Sequence, residues 1–270
     1  MSGASAGSLI PARSSDRFTG FFLRYVRRLL RRRFHAVRLA DEGADVLASL
    51  GARSRPAIIL LNHGSWWDPI LACFLSGRLV PRRPGLAPMD RDQLERFGFF
   101  RRIGMFGIDP DDAESLEAMR AYVIDAFRSD PRTILWLTPQ GRFTDVREPI
   151  RIRPGAAAIA AAVGDVDVIS ISIEYAFWQE SRAEALVRCV RVDPPEVAST
   201  AGWHRVMTEA MQSNADELAR LVRARAVEPF TMLIGDRART SFFYDLMLRL
   251  RGRGGEIEAR RMTDKGATEA

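Results

Sequence analysis

Cysteine, histidine and lysine are scarce in this chain of 270 residues, which has two, three and one of them. Cys73 and Cys189 are far apart and lack metal-ligand spacing, which excludes a disulfide framework and a zinc module. Each sits in an apolar run and reads as a small buried hydrophobe, consistent with a reducing compartment. With Lys265 the sole lysine, positive charge rests on arginine. No Gly-x-Ser-x-Gly elbow, phosphate loop or His-Glu-x-x-His helix occurs, which argues against a lipase-type serine, P-loop nucleotide chemistry and a zincin site. No metal is expected. Long apolar runs are also missing: nothing reaches the roughly 18 uncharged residues of a spanning helix, and no signal-peptide core follows the N-terminus.

What is present is charge, unevenly distributed. The chain carries 40 Lys+Arg against 34 Asp+Glu, for a net +6. Nine arginines and one acid fall in residues 13–38, and seven arginines against three acids in residues 237–261. The stretch between is net acidic, which argues against a globular domain that clamps nucleic acid. Residues 1–15, rich in Ser, Ala and Gly, read as a disordered tail. In 16–33, Phe18, Phe21, Phe22, Tyr25, Val26, Leu29 and Leu30 recur at helical spacing, with arginines such as Arg24 and Arg28 opposite. Aromatics on one face and cations on the other suit an interface with anionic lipid, with Phe18, Phe21, Phe22, Arg24 and Arg28 as contacts. The same pattern also fits a helix docked on its own domain through the apolar stripe, or an organelle transit peptide. Residues 236–251 repeat the amphipathic theme, and 252–270 read as a second disordered tail.

Between the basic ends, residues 34–235 alternate strand and helix patterns. Phe34–Leu39, Ala57–Leu61, Thr133–Leu137, Val166–Tyr175 and Ala185–Val192 read as strands, with a short apolar segment at Met105–Ile108. Helices are expected from about Trp66 to Ser76, over Asp111–Ser129 and Gly155–Val163, and from Trp203 past Leu221. The fold class is α/β: a single mixed, largely parallel sheet covered by helices, preceded by an amphipathic basic helix.

The histidines are not equivalent. His35 lies in the basic arm and His204 on the polar side of the late helix, whereas His63 directly follows the buried strand Ile58-Ile59-Leu60-Leu61. Open α/β sheets place reactive groups at the carboxyl ends of their strands. Asp68, five residues on, can fold back to the imidazole, fix its tautomer and stabilise the imidazolium, which would make Nε2 a general base. Trp66 and Trp67 supply apolar walls. A second buried strand ends in Thr138-Pro139-Gln140-Gly141-Arg142, which would share that edge.

Asn62-His63-x-Ser65-x-x-Asp68, followed by Pro139-Gln140-Gly141, resembles the lysophospholipid and glycerolipid O-acyltransferase family, over roughly residues 55–180. Gly104-Met105-Phe106-Gly107-Ile108-Asp109 and Val168-Ile169-Ser170-Ile171 are similar to two further motifs of that family. The resemblance implies acyl transfer from a thioester of coenzyme A or acyl-carrier protein to a hydroxyl of a lysophospholipid-like acceptor. No bound cofactor is expected, the acyl thioester being a co-substrate. His63 would be the base and Asp68 its partner. Pro139, Gln140, Gly141 and Arg142 would line the acceptor pocket, with Arg102 and Trp67. The chain would work as a peripheral protein on the cytoplasmic face of a membrane, and 34–235 would be the acyltransferase domain. The departures point elsewhere: Pro110 and Phe143 stand where the family has arginines for the acceptor phosphate, and Gln140 replaces a glutamate. They fit a non-phosphate acceptor such as a glycolipid, a carotenoid glycoside or a lyso-aminolipid, or a non-catalytic lipid-binding relative.

Overall fold

The computed structural model describes residues 9–235. Residues 1–8, the expected helix at 236–251 and the tail at 252–270 lie outside the described residues. In chain order the elements are α1 (Asp16–Arg33), β1 (Ala36–Ala40), α2 (Asp41–Gly51), β2 (Ala57–Leu61), α3 (Asp68–Leu79), β3 (Gly85–Asp90), α4 (Arg91–Arg96), a 3-10 turn (Gly98–Ile103) and β4 (Met105–Ile108). There follow α5 (Ala113–Ser129), β5 (Ile134–Leu137), α6 (Gly155–Val163), β6 (Asp167–Ala176), β7 (Glu184–Val192), α7 (Thr200–Ala224) and β8 (Phe230–Gly235).

The eight strands form one sheet in the order β4-β3-β5-β2-β6-β7-β1-β8. Pairing is parallel from β4 through β6 and between β7 and β1, and antiparallel at β6–β7 and β1–β8. The two-residue period of a strand sends alternate side chains to opposite faces. Ala57, Ile59 and Leu61 of β2 pack with α1, α2 and α3, while Ile58 and Leu60 pack with α5, α6 and α7. A strand covered on both faces is apolar throughout, which is why Ala57–Leu61 is a continuous run. The carboxyl ends of β2, β5 and β6, at the sheet centre, lie on one edge.

Two glycines bear on the turns at strand ends. Gly104 has φ of +97°, and a Cβ there would stand 2.0 Å from the Gly85 carbonyl oxygen, so no other residue allows the turn before β4 to sit against β3. Gly141 is the second and belongs to the site.

Two readings of the N-terminal region change. Residues 9–15, assigned to the disordered tail, run along the sheet edge instead. Ile10 exchanges backbone hydrogen bonds with Gly107 at 3.0 and 2.8 Å, and the Arg13 and Ser15 amides donate to Arg101 and Arg102 carbonyls, each at 2.9 Å. The unpaired edge of β4 supplies the partner. In α1, Phe22, Val26 and Leu30 are buried and belong to the same core as α3. Phe22 is therefore not a membrane contact; each such side chain contributes about 1.5–3 kcal/mol by burial in the domain. Phe18 is half-buried, 6.5 Å from Phe99 between ring centroids. The outer face keeps Phe21, Arg24, Tyr25 and Arg28 exposed.

Candidate active site

The chain leaves β2 at Leu61 and is fastened at once. The Asn62 amide donates through Nδ2 to the Ile173 carbonyl at 2.9 Å and accepts the Ile173 N–H at 2.7 Å, mimicking one more rung between β2 and β6. His63 comes next, then a tight turn into α3. Asp68 opens that helix with Pro69 behind it, a favourable place for an anion and for proline.

Asp68 is 1% exposed, yet three donors converge on it. Its Oδ2 lies 3.0 Å from His63 Nδ1 and accepts the Ser65 N–H at 2.8 Å, while Oδ1 accepts the Tyr175 hydroxyl at 2.6 Å. A buried carboxylate with three donors is fully satisfied as an anion. Facing that anion, Nδ1 carries the proton, which leaves Nε2 with its lone pair. Among the described residues Nε2 has no hydrogen-bond partner, and the His63 side chain retains 17% exposure.

The second turn is clamped to the first. Gln140 Oε1 accepts the His63 N–H at 2.8 Å, its Nε2 donates to the Thr144 hydroxyl, and the Thr144 N–H donates to the His63 carbonyl at 2.9 Å. Gln140 is thus used at both ends of its amide, accepting and donating at once. Gly141 takes φ of +68°, and a Cβ there would stand 2.8 Å from Arg153 Nε. Arg153 ties this turn to the one after β4: its backbone N–H donates to the Pro139 carbonyl at 2.8 Å, and its guanidinium donates to the Pro110 carbonyl at 2.5 Å and to Asp111 at 3.1 Å. Over the imidazole lies Phe143, ring centroids 4.2 Å apart, and Trp66 meets Phe143 at 5.5 Å. A histidine held to a buried carboxylate, with its other nitrogen open, can take a proton from a weak nucleophile.

A family model described as Acyltransferase matches residues 38–174. The chain belongs to the acyltransferase family. Among solved structures it is similar to the 1-acyl-sn-glycerophosphate (LPA) acyltransferase PlsC from Thermotoga maritima, with 16% identity and a TM-score of 0.54. The likeness covers 77% of this chain and 83% of that one and is a likeness of fold, an α/β sheet with covering helices. No curated protein sequence matches the chain.

Of the site residues expected in this acyltransferase from its sequence, His63, Asp68 and the Pro139–Arg142 turn come together. Their assignments change in detail. Pro139 and Gln140 are buried with their polar groups taken, so they shape the turn rather than offer free groups to a ligand. Arg142 is exposed beside Phe143 and makes no ion pair among the described residues. Arg102 is not brought to His63. It lies in the 3-10 turn that leads into β4, at the opposite edge of the sheet, with its guanidinium 4.5 Å over the Phe18 ring. Trp67 is half-buried, edge-on to Phe34 at 5.0 Å, and Phe34 stacks on Tyr175 at 5.7 Å. It props the site from behind while its neighbour Trp66 faces out.

Tyr175 is the partner that sequence reading missed. It is the penultimate residue of β6, one residue beyond the matched segment, and the signal was available: a polar aromatic at the carboxyl end of a central strand. Burial, and then the negative charge of Asp68, push its hydroxyl pKa well above the usual tyrosine range, so it acts as a permanent donor. Tyr175→Phe, which keeps the stack on Phe34, should lower kcat about tenfold, about 1.4 kcal/mol in the barrier, with KM unchanged. A purely structural tyrosine would instead lower the folded fraction and leave kcat per folded molecule in place.

Proposed function

We propose that this chain is an O-acyltransferase that moves a fatty acyl group from a thioester, acyl-CoA or acyl-carrier protein, to the hydroxyl of a lysolipid-type acceptor in glycerolipid biosynthesis. The observation that carries the reading is the buried Asp68 bound to His63 Nδ1 at 3.0 Å, with Nε2 open. In the proposed step Nε2 removes the acceptor hydroxyl proton as the oxygen attacks the thioester carbonyl carbon. The C–S bond then breaks, and the imidazolium returns the proton to the departing thiolate. Asp68 stabilises the imidazolium between the two transfers. No resident cofactor or metal is assigned a part.

A lysophospholipid acceptor is the first reading, because the similar Thermotoga maritima enzyme is a 1-acyl-sn-glycerophosphate acyltransferase. A neutral-headgroup acceptor is the second, and the contact of Phe143 with the imidazole favours it. The test is thiol release from one long-chain acyl-CoA with a panel of lysophospholipid, glycolipid and aminolipid acceptors. Release that depends on an acceptor supports transfer; a chain that binds these lipids and releases no thiol is a non-catalytic relative.

We also place the enzyme at the surface of an anionic membrane, on the cytoplasmic side, through the outer face of α1. None of the described helices is long and apolar enough to cross a membrane. Phe21 and Tyr25 stand exposed among Arg24 and Arg28, a combination that suits a lipid interface. Deleting α1 would also strip Phe22, Val26 and Leu30 from the core, so point changes are the proper test. With about 1 kcal/mol per arginine at the surface, Arg24→Glu with Arg28→Glu should weaken sedimentation with anionic vesicles by about thirtyfold or more. Unchanged sedimentation would remove α1 as the contact.

A further inference from the structure

We infer that Trp66 and Phe143 form the acceptor subsite, and that it takes an uncharged, ring-shaped polyol such as a sugar headgroup rather than a phosphate monoester. The inference rests on the acyl-transfer reading, takes the second of its two acceptors and specifies it.

Trp66 is 72% exposed and Phe143 47% exposed, although both are large aromatics. Other aromatics of this chain are exposed too; what sets this pair apart is position. Phe143 touches the His63 imidazole with ring centroids 4.2 Å apart, and Trp66 closes on Phe143 at an interplanar angle of 48°, so the two rings make a corner against the imidazole. The corner is preformed. Thr144, next to Phe143, is bound through its backbone to His63 and through its hydroxyl to Gln140. Trp66 lies between Ser65 and Trp67, whose backbone amides donate to Asp68 and to the Ser65 hydroxyl. Rigid aromatics at a site mouth supply contact area at low entropic cost.

The charges nearby argue against a phosphate. Recognition of a phosphate monoester calls for several charge-assisted donors, best supplied by forked guanidiniums. On the loop after β5, Arg147 is paired with Asp145 at 2.8 Å and Arg153 with Asp111 at 3.1 Å and the Pro110 carbonyl. Glu148 adds an exposed negative charge on the same loop. Arg142, next to Phe143, and Arg151 are the two arginines of the loop without an ion pair among the described residues. A pyranose presents an apolar C–H face and a rim of hydroxyls. Its face fits against Trp66 or Phe143, its rim offers one hydroxyl to Nε2 in the imidazole plane, and the Arg142 guanidinium can donate to a neighbouring hydroxyl oxygen.

The test compares dodecyl β-glucoside with lysophosphatidate as acceptors for the purified full chain and palmitoyl-CoA. The wild type should have a kcat/KM at least tenfold higher with the glucoside. Phe143→Arg, which restores a cation beside His63, should shift the ratio at least tenfold toward lysophosphatidate. Trp66→Ala, a surface change that the fold tolerates, should raise KM for the glucoside about tenfold with kcat little altered. A wild type that prefers lysophosphatidate, with a ratio unmoved by both variants, would overturn the subsite and leave acyl transfer standing. Loss of vesicle binding in both variants without any change of acceptor ratio would overturn it as well, making the corner a lipid-insertion patch. No thiol release with any acceptor would overturn both readings.

Discussion

His63→Ala should lower acceptor-dependent thiol release by about 10²–10⁴-fold, the range of a positioned general base. The effect should fall on kcat, because the imidazole is called on only when the acceptor hydroxyl develops charge. The fold should survive: the backbone bonds to Gln140 and Thr144 involve the His63 N–H and carbonyl, which alanine keeps. Phe143 loses a ring neighbour and retains Trp66. Thiol release measured with one acyl-CoA at saturating acceptor, beside a circular dichroism spectrum, is sufficient. Full activity in a folded His63→Ala protein would remove His63 from the chemistry and with it the proposed mechanism.

Asp68→Asn should cost about as much, roughly 10³–10⁴-fold in kcat, by a different route. Three donors point at two carboxylate oxygens: His63 Nδ1, the Ser65 amide and the Tyr175 hydroxyl. An asparagine replaces one acceptor oxygen with a donating NH₂. If that group faces the imidazole, it forces the proton to Nε2 and abolishes the base. If it faces Tyr175, the hydroxyl turns to accept, the geometry persists, and only the charge that stabilises the imidazolium is lost. Either way kcat falls, while the acceptor KM should hold, because Asp68 is buried away from the mouth. Activity within tenfold of wild type would show that the carboxylate is not required, and would reduce the His63–Asp68 contact to a helix-capping arrangement.

Much of this site was legible before the fold. Asp68 is only five positions after His63, and a strand end, a glycine and a helix start leave few ways to connect them except a tight turn. Partners distant in sequence were not legible. Tyr175 meets Asp68 across 107 residues because β6 happens to be the neighbour of β2 on that side. Arg153 links the Pro110 and Pro139 turns by the same accident of strand order. The roles of Gln140 and Trp67 were misread for a related reason. Their side chains are polar or aromatic near a catalytic motif, and only packing shows that Gln140 faces the His63 backbone and Trp67 faces Phe34.

Among the elements, β2, α6 and the long α7 follow from apolar runs and helical periodicity. By contrast α2, β3, α4 and β8 were not anticipated. α2 is short and carries two glycines, and is held by Leu47 and Leu50 in the core. β3 contains Gly85 and Pro88, poor strand formers, and exists because β5 and β4 offer it partners. Local preference governs an element only where no neighbour overrides it.

The sequence by itself determined that this is an α/β protein with a histidine and an aspartate poised at a strand end, because both features depend on residues close together in the chain. Tertiary structure alone decided which face of α1 is free, since Phe22, Val26 and Leu30 are claimed by a core assembled from distant helices. It also decided what surrounds the imidazole, a tyrosine behind Asp68 and an aromatic corner against the ring. Those contacts arise from the order of strands in the sheet, which no local pattern encodes.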